Sequence, residues 1–200
     1  MKKSAKILIV IFVATIITIS FLFMHSNKKN EVMKNSLKGE IVFAHGKDDL
    51  YILKIPAMEL NKIELKGYRI LFPSYPSWSS DGQKIALSQD RNNTGVLTII
   101  SIKDNTVKEL DNINLDCDYI SWSPNGEYIA FLGRATTSDS SDYKLYVYSI
   151  NDKKHKVISD ISAGPYRPTW SPESSRIIFS SADNNIFIID INGNVPKQVN

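Results

Sequence analysis

Three copies of one ten-residue pattern constrain this chain more than any other feature of it. Trp78-Ser79-Ser80-Asp81-Gly82-Gln83-Lys84-Ile85-Ala86-Leu87 recurs as Trp122-Ser123-Pro124-Asn125-Gly126-Glu127-Tyr128-Ile129-Ala130-Phe131, and again as Trp170-Ser171-Pro172-Glu173-Ser174-Ser175-Arg176-Ile177-Ile178-Phe179. All three tryptophans of the chain lie in it, each is followed directly by Ser and seven residues later by Ile, and the copies begin 44 and 48 residues apart. Self-similarity at such a period marks an array with one unit of supersecondary structure per copy.

The pattern has a physical reading. Each Trp ends a short apolar strand, as in Tyr119-Ile120-Ser121-Trp122. Pro124 then presets φ, Asn125 tolerates a turn, and Gly126 can take positive φ, which is hairpin chemistry; Gly82 and Pro172 supply the same elements in the other copies. The following run, Tyr128 to Leu132, is too short for a helix and apolar on both faces, as a strand sandwiched between neighbouring sheets should be. Ser174 stands where the first two copies have Gly, so a left-handed backbone there would cost about 1 kcal/mol, unless the turn differs.

Behind each Trp the same strands recur. Ile85–Ser88, Val96–Ile102 and Val107–Leu110 follow Trp78; Ile129–Leu132, Leu145–Ile150 and Lys156–Ile158 follow Trp122; Ile177–Ser180, Ile186–Ile191 and Lys197–Val199 follow Trp170. With the Trp strand, each copy makes four strands in about forty residues, a propeller blade. Upstream, Ile41–Ala44, Leu50–Ile55 and Lys62–Leu65 are three further β runs without a Trp-Ser unit. The extra length of the middle copy falls in a loop, Thr136 to Asp142. No convincing amphipathic helix occurs after residue 30.

The N-terminus is of another kind. Ile7 to Met24 is uncharged and apolar but for Thr and Ser, and follows Lys2, Lys3 and Lys6. It is expected to be an uncleaved signal anchor or a cleaved signal peptide over residues 1–24, followed by a polar juxtamembrane linker, 25–38. Lysines before the apolar run favour a cytoplasmic N-terminus, which would place residues 39–200 outside the cytoplasm, single-pass and membrane-tethered, or secreted if the signal is cleaved. The sole cysteine, Cys117, is too distant for lipoprotein processing. The net charge of +3 comes from this end: the first 30 residues hold five lysines and no acid, leaving 19 basic against 21 acidic residues in the remainder. The folded part is not basic, and nucleic acid is excluded as a partner.

On these residues the chain resembles the TolB-type WD40-like (PD40) β-propeller repeats, whose signature runs roughly P-x-W-S-P-D-G-x-x-I-A-F followed by an I-Y-V-x-D strand. Pro168-Thr169-Trp170-Ser171-Pro172, Trp122 to Phe131, and Asn185-Ile186-Phe187-Ile188-Ile189-Asp190 carry the likeness, over residues 39–200. The resemblance implies an all-β propeller of four-stranded blades. Three full repeats and a first one without its Trp strand give three to four blades, where the resembled propellers usually have six or more; an open, partial propeller is therefore expected, from a truncated or split protein or half of an assembly. The family's propellers serve as docking platforms in envelope complexes, as sugar-acting enzymes, and as gating domains before serine peptidases, and fold alone does not choose among these.

No catalytic constellation is visible. His25, His45 and His155 have no metal-ligand spacing, and a single Cys allows no Cys-x-x-Cys. Cys117 sits between Asp116 and Asp118, whose charges would raise its pKa and make it a poor nucleophile. No G-x-S-x-G elbow exists. The acid-rich stretches at Lys47–Asp49, Asp111–Asp118, Ser138–Asp142 and Asp190–Asn194 lack EF-hand spacing and are read as turns. No cofactor or metal is expected. A binding surface would lie where the chain enters each Trp strand: three residues before each Trp stand Tyr75, Tyr119 and Arg167, with Asp118 and Tyr166 alongside, residue types enriched in hot spots though Tyr also simply suits strands. The expected partner is another protein of the cell envelope, or a second copy through open propeller edges, with the membrane engaged by the N-terminal helix. The alternative is the propeller part of an enzyme, a peptidase gating domain or a sugar-acting lyase or hydrolase.

Overall fold

The computed structural model describes residues 38–46, 49–65, 67–71, 75–110, 113–136, 142–193 and 195–199. The expected N-terminal helix and nearly all of the linker lie outside the described residues, as do His25 and most of the Thr136 to Asp142 loop. Among the described residues two compact units are formed, one of residues 38–41 with Leu53–Glu59, the other of the described residues within 42–52 and from Leu60 on. In the first, Lys54 Nζ lies 3.9 Å from Glu40, an exposed pair of little energetic weight.

Every regular element among the described residues is a strand. A three-stranded sheet has the order β1 (Gly39–His45), β2 (Asp49–Ile55), β3 (Glu59–Ile63). Three four-stranded sheets follow, each antiparallel and in sequence order. They are β4 (Ser77–Trp78), β5 (Lys84–Arg91), β6 (Thr94–Ser101) and β7 (Thr106–Glu109); β8 (Leu115–Trp122), β9 (Tyr128–Ala135), β10 (Lys144–Ser149) and β11 (Lys154–Ser159); and β12 (Thr169–Trp170), β13 (Arg176–Ser180), β14 (Ile186–Asp190) and β15 (Lys197–Gln198). This is the expected meander of blades, the Trp strand first in each. Several boundaries differ from expectation: β5 and β9 each run three residues past the expected Ser88 and Leu132, and β11 starts two residues early. The strand expected at Lys62–Leu65 is instead Glu59–Ile63, leaving Leu65 to fill the core from a loop. The strand ending at Trp122 is also twice as long as its apolar stretch, because Leu115 to Asp118 pair with β9 as well.

The invariant Ser after each Trp closes the turn. Ser79, Ser123 and Ser171 each donate a backbone N–H to the carbonyl five residues on, Lys84, Tyr128 and Arg176, at 2.8, 2.9 and 2.9 Å. Their hydroxyl oxygens accept the backbone N–H of those same residues at 2.9, 2.9 and 3.1 Å. The fifth position of each copy is left-handed: φ is 67° at Gly82, 77° at Gly126 and 61° at Ser174. Ser174 is offset by a bond that Gly cannot make, since its Oγ accepts the Asn125 N–H of the preceding copy at 3.0 Å. A Cβ on Gly126 would also lie 2.7 Å from Ser80 Oγ, so that hydroxyl would have to turn aside.

Each core is shared between successive sheets of the second unit. Leu50 and Ile52 of β2 pack with Ile85, Leu87 and Ile100 of the next sheet. Ala86 and Leu97 pack with Cys117, Ile120, Trp122, Ile129 and Phe131. Ala130, Leu132, Leu145 and Val147 pack with Trp170, Ile177, Phe179 and Ile189. Ile85, Ile129 and Ile177, expected at equivalent places between blades, are all fully buried. Alternate β9 residues therefore serve different cores, which is why that strand is apolar on both faces.

Candidate functional site

The region of interest is built by one irregularity in β8. Asp118 is opposite Leu132 and Ser121 opposite Ala130, so β8 holds one residue more than β9 over this interval, a β-bulge. In a regular strand Cys117 and Ile120 would point to opposite faces, yet both lie in the same core with Trp122. The extra residue restores them to one face. Tyr119 takes the left-handed conformation this demands, φ 53°, which costs a bulky residue about 1–2 kcal/mol.

Tyr119, so placed, stacks on Tyr75 with ring centroids 5.7 Å apart and planes inclined by 22°. Tyr75 is 44% exposed. Asp118 is 9% exposed, and among the described residues its carboxylate accepts one hydrogen bond, the Tyr119 N–H to Oδ1 at 2.7 Å. Burial pushes the Asp118 carboxyl up to about 6; the Tyr119 N–H opposes the shift and the Asp116 charge adds to it. The Tyr119 phenol is raised in turn by desolvation, then by Asp118 and Tyr75, so the three side chains share one electrostatic neighbourhood.

Asp116, two residues earlier, is a different case. Its Oδ1 accepts the Gly95 N–H at 2.6 Å, and its Oδ2 accepts Arg134 Nε at 2.8 Å and Tyr143 OH at 3.3 Å. A second Arg134 nitrogen lies 2.7 Å from Oδ2, and the guanidinium carbon sits 5.0 Å from the centre of the Tyr143 ring. Burial first, then the Asp116 charge, raises the Tyr143 phenol to about 12. This node is fully paired and ties β6, β8 and β9 together. Arg134 and Tyr143 were not singled out in the sequence, where they look like ordinary strand-end residues; Gly133-Arg134 at the end of an apolar run was the only signal.

Of the five residues expected to form a surface, the structure brings together Tyr75, Asp118 and Tyr119. Tyr166 is 58% exposed and its N–H donates to the Gly164 carbonyl at 2.8 Å. Arg167 is exposed as a residue, yet its guanidinium is partly desolvated, which lowers its pKa. No ring contact or ion pair joins either to the trio among the described residues. Cys117 is fully buried and its thiol is pushed well above the ordinary range, chiefly by burial and only secondarily by Asp116 and Asp118, so the direction expected holds with a different leading cause. His155 is the second residue of β11, at the strand end, tilted against Tyr146 at 5.9 Å.

The repeat tryptophans divide by their indole N–H. Trp122 Nε1 donates to the Gly126 carbonyl of its own turn at 3.1 Å, and Trp170 Nε1 to the Ser121 carbonyl of the preceding sheet at 3.0 Å. Trp78 Nε1 is buried without a partner among the described residues. The Trp122 backbone N–H donates to Ser77 Oγ at 2.9 Å, so neighbouring inner strands are also bonded directly.

No protein-family model matches the chain, and no curated protein sequence does. Solved structures do. TolB from Acinetobacter baumannii superposes with a TM-score of 0.66 at 16% identity over 79% of this chain and 40% of that one. A putative TolB from Agrobacterium tumefaciens gives 0.63 at 19%, over 80% and 59%. An oligogalacturonate lyase in complex with manganese gives 0.57 at 12%, over 76% and 41%. At these identities the likeness is one of fold: the sheets are those of a TolB-like β-propeller, and the chain spans 40 to 59% of the length of these three structures.

Proposed function

We propose that this chain is a binding module of the cell envelope, tethered to the membrane by residues 7–24 and presenting its propeller sheets to another protein outside the cytoplasm. The observation that carries this reading is the stacked Tyr75–Tyr119 pair beside a buried carboxylate, with Tyr75 exposed just before β4 and Tyr119 half-buried at the bulge of β8. Rigid aromatic side chains held at the surface by a packed scaffold supply contact area at small entropic cost, and such positions dominate binding energy where they are used. The eighteen-residue apolar run supports the tether.

The test is in-cell cross-linking followed by recovery of the full chain from membranes. A specific protein should be recovered with the natural chain and lost with the Tyr75→Ala, Tyr119→Ala double variant. Sequencing the mature N-terminus by mass spectrometry checks the tether, for which Met1 or Lys2 is the expected start; a start near residues 25–30 would show a secreted domain instead. A second reading, the propeller part of an enzyme, is favoured by the buried Asp118 carboxyl, whose pKa, raised by burial to about 6, suits a general acid or base. Hydrolase or lyase activity on oligosaccharides or peptides, abolished by Asp118→Asn with the fold intact, would establish it.

A further inference from the structure

We infer that Tyr75, Tyr119 and Asp118 receive the guanidinium of an arginine side chain carried by the partner protein. The inference rests on the binding-module reading and specifies its chemistry. Three features meet at the β8 bulge. Asp118 is buried with one hydrogen bond to its carboxylate among the described residues, although a carboxylate has room for about four and an unpaired buried charge is costly. The nearby cation, Arg134, is already committed to Asp116. Tyr119 is held in a strained left-handed conformation, and strain in a bulky residue persists where the surroundings enforce it, commonly at binding sites. Its ring and that of Tyr75 form an offset stack with Tyr75 open to solvent.

A cation is the complement of both chemistries: it is drawn to the negative face of an aromatic ring and to a carboxylate. Arginine fits better than lysine. Its planar guanidinium stacks on a ring while directing N–H groups sideways to a carboxylate, and it gives up hydration more readily than an ammonium. Within the protein, the Arg134 guanidinium over Tyr143, with both its Nε and a terminal nitrogen on Asp116, shows one guanidinium engaging a ring and a carboxylate together.

Binding should follow Asp118 ionisation. The groups that act on it are the Tyr119 N–H and Asp116 on β8; Tyr75, on the approach to β4, lies beside Tyr119, and Arg134 of β9 and Tyr143 before β10 surround Asp116. From the adjoining β5 come Asp90, which is engaged by other groups, and Arg91, which pairs with Glu109. The probe is acetyl-arginine amide, titrated into the detergent-solubilised full chain while the tyrosine ring NMR signals are followed. Acetyl-citrulline amide serves as the uncharged control. The expected result is saturable millimolar binding that shifts the Tyr75 and Tyr119 rings, is about tenfold or more tighter at pH 7.5 than at pH 4.5, and weakens about tenfold in Tyr75→Ala. In Asp118→Asn the pH dependence should vanish, with circular dichroism confirming the fold. Equal binding of the citrulline amide, a flat pH profile in the natural chain, or no effect of Tyr75→Ala would each overturn the inference. A cross-linked partner that survives Tyr75→Ala and Asp118→Asn would overturn this site while leaving the module reading in place; absence of any partner would sink that reading instead.

Discussion

Asp118 shows how one residue can work against the fold that holds it. Its carboxyl is raised to about 6 in the folded chain, against about 3.9 for a free aspartate, so the folded state prefers it protonated. The sign follows from linkage. The stabilising effect of the raised value is complete below about pH 4, where folded and unfolded chains are both protonated, and it is lost as pH rises through 6. Asp118→Asn, which keeps an oxygen for the Tyr119 N–H, should match the natural chain in urea unfolding at pH 4 and be the more stable of the two at pH 7.5. Equal stability at both pH values would show that the carboxylate is not desolvated. A residue that costs stability at neutral pH and whose neutral isostere would fit is the pattern expected of a site kept for binding.

Among the elements, β6 and β8 approach so closely that their backbones decide which side chains are allowed. A Cβ on Gly95 would lie 2.1 Å from the Cys117 carbonyl oxygen and 2.5 Å from Ser88 Oγ, and Ser88 Oγ itself donates to that carbonyl at 2.6 Å. The Gly95 N–H also anchors Asp116. Gly95→Ala should therefore separate the two strands, with a loss of about 3 kcal/mol or more in urea unfolding. Gly39→Ala is the control, since nothing lies within 4 Å of a Cβ there and φ is not positive. An unchanged midpoint in Gly95→Ala would mean that β6 and β8 are not in this register.

For the second unit as a whole, stability depends on what passes from one sheet to the next. Trp170 fills the last shared core and bonds Ser121 of the preceding sheet through its indole, whereas the buried Trp78 indole N–H has no partner among the described residues. Replacing each by Phe removes a similar ring area but different polar groups. Trp170→Phe leaves the Ser121 carbonyl without that donor and should cost about 1–2 kcal/mol more than Trp78→Phe, which removes an unsatisfied donor. Urea unfolding of the two variants gives the comparison, and equal losses would show that the indole bond contributes nothing across the interface.

The repeat determined the order of the strands in the three Trp-bearing sheets and the chemistry of their turns. These are local matters: a Ser hydroxyl closes a turn on a residue five positions away, and the left-handed fifth position is marked by Gly82 and Gly126 even where Ser174 breaks the pattern. The positions three before each Trp, Tyr75, Tyr119 and Arg167, were legible for the same reason, as register within a repeat. The tertiary structure alone decided which of them meet. Tyr75 and Tyr119 come from different sheets, and Tyr119 reaches Tyr75 through a bulge set by the need to bury Cys117, Ile120 and Trp122 on one face. Adjacent carboxylates likewise look equivalent in sequence; only packing gives Asp116 an arginine and leaves Asp118 desolvated, because Gly95, Arg134 and Tyr143 converge on one of them from three other places in the chain.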